Sequence, residues 1–171
     1  VPYIPREEER VAIETRKILG RLGEGGISEH PLKVSATCTR ASVLAGHTEA
    51  VTAALKKPTP IEDVIAAFER FGTNFTGLAL PSSPQHMITV HRNPMRPQPR
   101  LDRDAGGGMS VTVGRLFPDS VFDYRFVVLG HNTIRGAAGA AILNAELLQA
   151  RGLLATKPAR KVAAPVKARG R

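Results

Sequence analysis

The run Lys33-Val34-Ser35-Ala36-Thr37-Cys38-Thr39-Arg40 is followed, after a short spacer, by Gly46-His47-Thr48-Glu49-Ala50. A guanidinium and an imidazole therefore stand on one short piece of backbone. Arginine keeps its charge at any relevant pH and can grip a carboxylate through two parallel N–H bonds, whereas histidine titrates near neutrality and can pass a proton. Together they could hold an acid and move a proton beside it. Six residues separate them, so on one flat strand their side chains would point to opposite faces. Convergence needs a bend, and Gly46 can supply it through backbone geometry that other residues reach only with strain. By residue type alone, such a pair is more often a surface cation and a structural histidine.

Other candidates are weaker by spacing. Glu7 and Arg10, three apart and sharing an edge with Glu14, read as a surface ion pair of the i,i+3 kind. Asn132 precedes the last predicted helix, where unpaired N–H groups and the helix dipole favour polar ligands, and its simplest role there is an N-cap. Cys38 near a histidine invites a nucleophile reading, but it sits in an apolar alternation and reads better as a small buried hydrophobe. Gly106, Gly107 and Gly108 form a bend entering a strand rather than a phosphate cradle, since no helix start follows. His30, His86, His91 and His131 lack metal-ligand spacing, so no metal is assigned.

Four blocks in order carry a resemblance. They are Pro2-Tyr3-Ile4-Pro5 leading into Glu7-Glu8-Glu9-Arg10 and Glu14-Thr15-Arg16-Lys17-Ile18-Leu19; residues 35–47; Arg96-Pro97-Gln98-Pro99-Arg100-Leu101-Asp102-Arg103-Asp104-Ala105-Gly106-Gly107-Gly108-Met109; and His131-Asn132-Thr133-Ile134-Arg135-Gly136-Ala137-Ala138-Gly139 running into Leu143-Asn144-Ala145-Glu146-Leu147-Leu148. Over residues 2–154 the chain resembles the C-terminal half of aspartate-semialdehyde dehydrogenase in its archaeal and fungal-like branch.

The resemblance implies roles. Arg40 would bind the substrate carboxylate and His47 would be the acid/base. Glu7 would face the substrate ammonium group, and Arg10 would face phosphate where the family carries Lys, a change that keeps the charge and adds a fork suited to phosphate oxygens. Asn132 would contact the nicotinamide cofactor, NADP, and the cysteine at position 38 would not be the acylated one. The implied reaction is NADPH-dependent reductive dephosphorylation of L-4-aspartyl phosphate through a thioester, in lysine, threonine and methionine synthesis. A malonyl-CoA reductase of the same family is the alternative, although it has no need of an ammonium partner such as Glu7. A non-catalytic dimerisation module with a polyanion-binding tail is another.

Neither a GxGxxG turn after a strand nor the family's nucleophile motif occurs, and the chain begins at Val1. It is therefore expected to be the C-terminal portion of a longer enzyme and inactive alone. Residues 1–130 are expected to form the substrate-binding and dimerisation domain. Residues 131–154 are expected to form a terminal helix packing back on a missing dinucleotide-binding domain, and 155–171 a disordered basic tail.

The elements that must position these residues follow from pattern. Pro5 and the acidic Glu7, Glu8 and Glu9 predict a helix start. Val11, Thr15, Ile18 and Leu22 share a stripe, predicting about four turns that end at the glycines of 23–26. Residues 32–40 alternate as a strand, with Leu32, Val34, Ala36 and Cys38 on one side. Residues 47–55 are ambiguous by composition, and the resemblance makes them a strand. Pro60 in a first turn and apolar residues at helical spacing predict a helix over 60–71 closed by Gly72. Strands are predicted at 87–91, 109–116 and 123–129, with a long Pro- and Arg-rich connection between the first two, and a last helix over 133–151. This is an α+β pattern: a mixed, mainly antiparallel sheet with helices on one face and the other face open to a partner subunit. The resemblance makes it a glyceraldehyde-3-phosphate dehydrogenase-like C-terminal domain, in a homodimer or tetramer.

Composition narrows the classes. The 171 residues are 42% hydrophobic and 23% charged, as in an ordinary globular domain. No apolar run approaches the roughly 20 residues that a membrane-spanning helix needs. One cysteine rules out an internal disulfide framework and fits a reducing cytoplasm. Of the net charge of +9, six positive charges (Lys157, Arg160, Lys161, Lys167, Arg169 and Arg171) lie in a final stretch without acidic residues, leaving +3 for the rest. The excess is mostly tail, which argues against a nucleic-acid-binding body; the partner that the resemblance implies is a small-molecule substrate.

Overall fold

The computed structural model describes residues 3–75 and 77–154; the expected basic tail lies outside the described residues. The chain forms two compact units, Val1–Val43 and Leu44–Arg171.

In the first unit, helix α1 spans Glu7–Ile18, with Glu7, Glu8 and Glu9 in its first turn and Arg16 and Lys17 in its last. Both charge groups complement the helix dipole. The helix stops before the predicted glycine cluster. Residues Arg21–Gly23 (β1) and Gly26–Ser28 (β2) instead pair as an antiparallel hairpin in which Leu22 faces Ile27. The glycine cluster is the hairpin's reversal rather than a helix cap, so Leu22 continues the helical stripe in sequence only.

The strand predicted at 32–40 is not a strand. Its alternation is visible in burial: Val34, Ala36 and Cys38 are half-buried, while Lys33, Ser35 and Thr37 are exposed. Among the described residues the segment is assigned to no strand, so the period of two reports one covered side and not a sheet.

The second unit holds a four-stranded sheet. Its strands are β3 (His47–Ala53), β4 (Ile88–His91), β5 (Val111–Pro118) and β6 (Tyr124–Gly130), in the order β3-β6-β5-β4. Only the β4–β5 pair is parallel, so the sheet is mixed and mainly antiparallel. Helix α2 (Ile61–Glu69) packs on β4 and β5. Phe68 meets Phe126 edge-on with centroids 5.5 Å apart, a contact worth about 1 kcal/mol beyond burial. The Tyr124 hydroxyl donates to the Thr59 carbonyl just before the helix.

By the strand register, Thr112, Gly114, Val127 and Leu129 belong to the opposite face, and that face is not fully open. The 92–110 connection crosses it. Gly114 lies directly beneath the Arg96 carbonyl, where any Cβ would collide. The connection contains one helical turn, α3 (Pro99–Asp102), and is pinned by Asp102, whose side chain is only 3% exposed. Asp102 accepts from Arg96 Nε at 2.7 Å and from the Gln98 N–H at 2.6 Å, and it lies 3.3 Å from His91 Nε2 on β4. The hydrogen bond from Arg96 is the main reason its carboxyl is held below the ordinary carboxylate range. Thr48, Ala50 and Thr52 of β3 are the part of this face left exposed.

A π-turn (Ile134–Ala138) leads into helix α4 (Gly139–Ala150). Leu143 of α4 joins Leu80, Met87 and Met109 in a buried cluster. Glu146 accepts from the Ser82 N–H at 2.9 Å and from its hydroxyl at 2.8 Å, fixing the helix along its length. Among the described residues, no helix is long and apolar enough to cross a membrane.

Candidate functional site

In the first unit, the first-turn carboxylates of α1 do not cap their own helix; Arg6 at the N-cap position, with φ of 66°, makes no side-chain cap. They reach instead to the segment holding Arg40. Glu8 Oε1 accepts from the Cys38 N–H at 2.9 Å. Both oxygens of Glu7 accept from Arg40 Nη2, at 2.9 and 2.8 Å, while Arg40 Nη1 donates to the Thr39 carbonyl at 3.1 Å. Two adjacent acids on one helical turn thus hold positions 38 and 40 and set the orientation of the guanidinium.

The spacing-based ion pair between Glu7 and Arg10 does not form. Glu7 is taken by Arg40, and the i,i+3 pair on this helix is Arg6 with Glu9 at 3.0 Å. Arg10 is exposed, and its guanidinium has no partner among the described residues. Helical spacing places Glu7 and Arg10 on neighbouring turns of one face, so an uncommitted cation stands beside the Glu7–Arg40 pair.

The side chains of Arg40 and Glu7 are 38% and 27% exposed. A pair this open to water is worth at most about 1 kcal/mol. A ligand carrying its own carboxylate and ammonium can therefore exchange with it at small cost, the carboxylate taking Arg40 and the ammonium taking Glu7. Cys38 is half-buried, with its backbone committed to Glu8.

In the second unit, His47 opens β3, paired in register with Gly130 at the end of β6, and its imidazole is exposed. The predicted bend is present: Gly46 has φ of 107° and packs against Leu129 and Arg103, where a side chain would be both strained and crowded. The Gly46 N–H donates to Asn132 Oδ1 at 3.1 Å. That bond ties Asn132 to the residue preceding His47 across 86 positions of sequence, so the structure brings these two candidates together.

Asn132 is not the helix cap. With its oxygen committed to Gly46, its amide nitrogen is left without a partner among the described residues. The capping is done by His131, which the sequence marks only as a histidine without metal-ligand spacing. His131 Nδ1 accepts from the N–H groups of Thr133 at 3.3 Å and Ile134 at 3.2 Å, while Nε2 lies 3.7 Å from Asp104 Oδ1. An imidazole nitrogen that accepts must carry no proton, so the geometry requires the Nε2–H tautomer, directed at a carboxylate. The available signal is a histidine two and three residues before Thr133 and Ile134, a place where Asp or Asn is the usual cap. Among the described residues, no group of three or more His, Cys, Asp or Glu side chains could hold a metal ion.

The arrangement offers an exchangeable carboxylate and ammonium site in one unit and an exposed imidazole beside an available carboxamide in the other. The carboxamide N–H₂ of Asn132 suits a carbonyl acceptor such as the amide of a nicotinamide ring, so the residues present fit that group.

Comparison with known proteins shows the family. Residues 1–135 match the family model described as semialdehyde dehydrogenase, dimerisation domain. The chain is 49% identical over 148 residues to the aspartate-semialdehyde dehydrogenase of Archaeoglobus fulgidus, covering 86% of this chain and 42% of that protein. It is 45% identical over 161 residues to the enzyme of that name from Candida albicans, covering 90% and 44%. The Candida albicans enzyme solved with NADP superposes with a TM-score of 0.80 at 44% identity, over 90% of this chain and 45% of that one. Aspartate semialdehyde dehydrogenase II from Vibrio cholerae, solved complexed with ASA, superposes at 0.65 with 26% identity, over 87% and 40%. The chain thus spans somewhat under half the length of the curated relatives it matches.

Proposed function

This chain belongs to the semialdehyde dehydrogenase family, within its dimerisation domain, and from that membership we propose that it supplies the substrate-binding and dimerisation part of an NADP-dependent aspartate-semialdehyde dehydrogenase. The reaction is reductive dephosphorylation of L-4-aspartyl phosphate to L-aspartate 4-semialdehyde. The observation that carries the reading is the Glu7–Arg40 pair, which matches an α-amino acid in both charges.

In this reading Arg40 clamps the α-carboxylate and Glu7 receives the α-ammonium, so the carbon to be reduced is held in one orientation. Arg10, without a partner, neutralises phosphate. His47 moves the proton at the reacting centre, its backbone set at the start of β3 by the Gly46 bend and the Asn132 bond. Asn132 would hold the nicotinamide carboxamide; when bound, NADPH supplies the hydride. The 131–154 segment would pack on a dinucleotide-binding domain, and a nucleophilic cysteine would come from outside these residues. The exposed strip of β3 and the 92–110 connection would meet a second copy of the chain about a two-fold axis.

The test joins this chain to the part of the Archaeoglobus fulgidus relative that the match does not cover. The hybrid is expected to sediment as a dimer or a larger oligomer. It should reduce NADP in the presence of L-aspartate semialdehyde and phosphate. A folded hybrid that binds NADP yet gives no turnover overturns the assignment.

A further inference from the structure

One cavity of the second unit lies away from His47. It is about 230 Å³, between the first turn of α2 and the ends of β4 and β5. The strand register places it at the far end of the sheet. His47 pairs with Gly130, whereas the Phe117 that lines the cavity pairs with Arg125, near the opposite end of β6.

Three features single it out. Its floor is apolar, made by Ile65, Val90 and Leu116. Its rim carries Arg92 and Arg115, both exposed and neither with a hydrogen-bond or ion-pair partner among the described residues. Glu62 shares the rim without pairing to either, and His91 is turned to Asp102. The start of α2 adds its positive dipole end to the same rim.

The third feature is strain. Arg115 has φ of 53°, in the left-handed region, where the β5–β6 register shifts between Gly114 and Phe117. A non-glycine residue there costs on the order of 1 kcal/mol, and glycine would relieve it. The bulge that sets this backbone carries an unpaired guanidinium to the mouth of an apolar cavity, an arrangement suited to an anion with an apolar chain.

We propose that this cavity is a second binding site, for a small organic anion: a carboxylate or phosphate carried on a short apolar chain. The anion lies between Arg92 and Arg115, and the chain enters the floor of Ile65, Val90 and Leu116. The cavity is smaller than a drug-sized pocket, so the ligand is a compact metabolite and not a nucleotide.

The test is amide-resolved NMR titration of the full chain with four probes: hexanoate, hexyl phosphate, inorganic phosphate and 1-hexanol. Saturable shifts confined to residues 61–65, 90–92 and 115–117 are expected with hexanoate or hexyl phosphate, and the better of the two identifies the head group. Arg115→Gly should weaken that binding at least tenfold without lowering the melting temperature, because the glycine accepts the backbone conformation. Arg92→Gln should weaken it similarly. The proposal is overturned if inorganic phosphate alone reproduces the shifts, if 1-hexanol binds as well as hexanoate, or if Arg115→Gly binds as the parent does.

Discussion

Replacing Glu7 with Gln separates binding from structure. The Glu7–Arg40 pair is partly exposed on both sides, so its loss should cost the fold less than about 1 kcal/mol. Glutamine keeps the length and one carbonyl acceptor, and Glu8 continues to hold the Cys38 N–H. Binding should respond more strongly. A charge-assisted hydrogen bond to a substrate ammonium is worth about 1.5–3 kcal/mol, which is about 10- to 150-fold in kcat/KM at 1.4 kcal/mol per tenfold. Turnover by the hybrid with L-aspartate semialdehyde is compared with succinate semialdehyde, which lacks the ammonium. Glu7→Gln should lose that factor with the first and little with the second. Equal losses on the two substrates, or a melting temperature lowered enough to account for the loss, would refute the role given to Glu7.

Other outcomes follow from the same geometry. Arg40→Lys should be severe despite the conserved charge, since a point charge cannot reproduce the two-pronged grip of the guanidinium on a carboxylate; an unchanged kcat/KM for L-aspartate semialdehyde contradicts it. His131→Asn should keep the acceptor for the Thr133 and Ile134 N–H groups, whereas His131→Ala should cost about 1 kcal/mol and weaken NADP binding by releasing Asn132, as thermal melts and cofactor titration would report. Asp102 contributes stability in full above about pH 4, the unfolded carboxylate value, and loses it as pH falls through its depressed folded value. Melting temperature against pH should therefore be flatter below pH 4 in Asp102→Asn than in the parent, and parallel curves would refute the ion-pair role.

The sequence was legible where an element is specified by its own residues. Pro60, the apolar spacing behind it and Gly72 mark α2, and β-rich runs mark β4, β5 and β6, because these segments bury one face against a core. It misled where periodicity had another cause. Leu22 continued a helical stripe but pairs with Ile27 in a hairpin, and residues 33–39 alternate in burial without strand assignment. The partner of Arg40 was beyond local reach, since Glu7 lies 33 positions away. The same holds for the bond joining Gly46 to Asn132, and the cap was hidden because histidine is a less common cap than the asparagine beside it.

The most direct test of the account is His47→Ala in the hybrid enzyme, read by turnover and by NADP affinity in the same preparation. If His47 moves the proton and Asn132 holds the cofactor, turnover should fall roughly 100- to 10,000-fold with NADP affinity nearly unchanged. Parent-like turnover in that variant would contradict it.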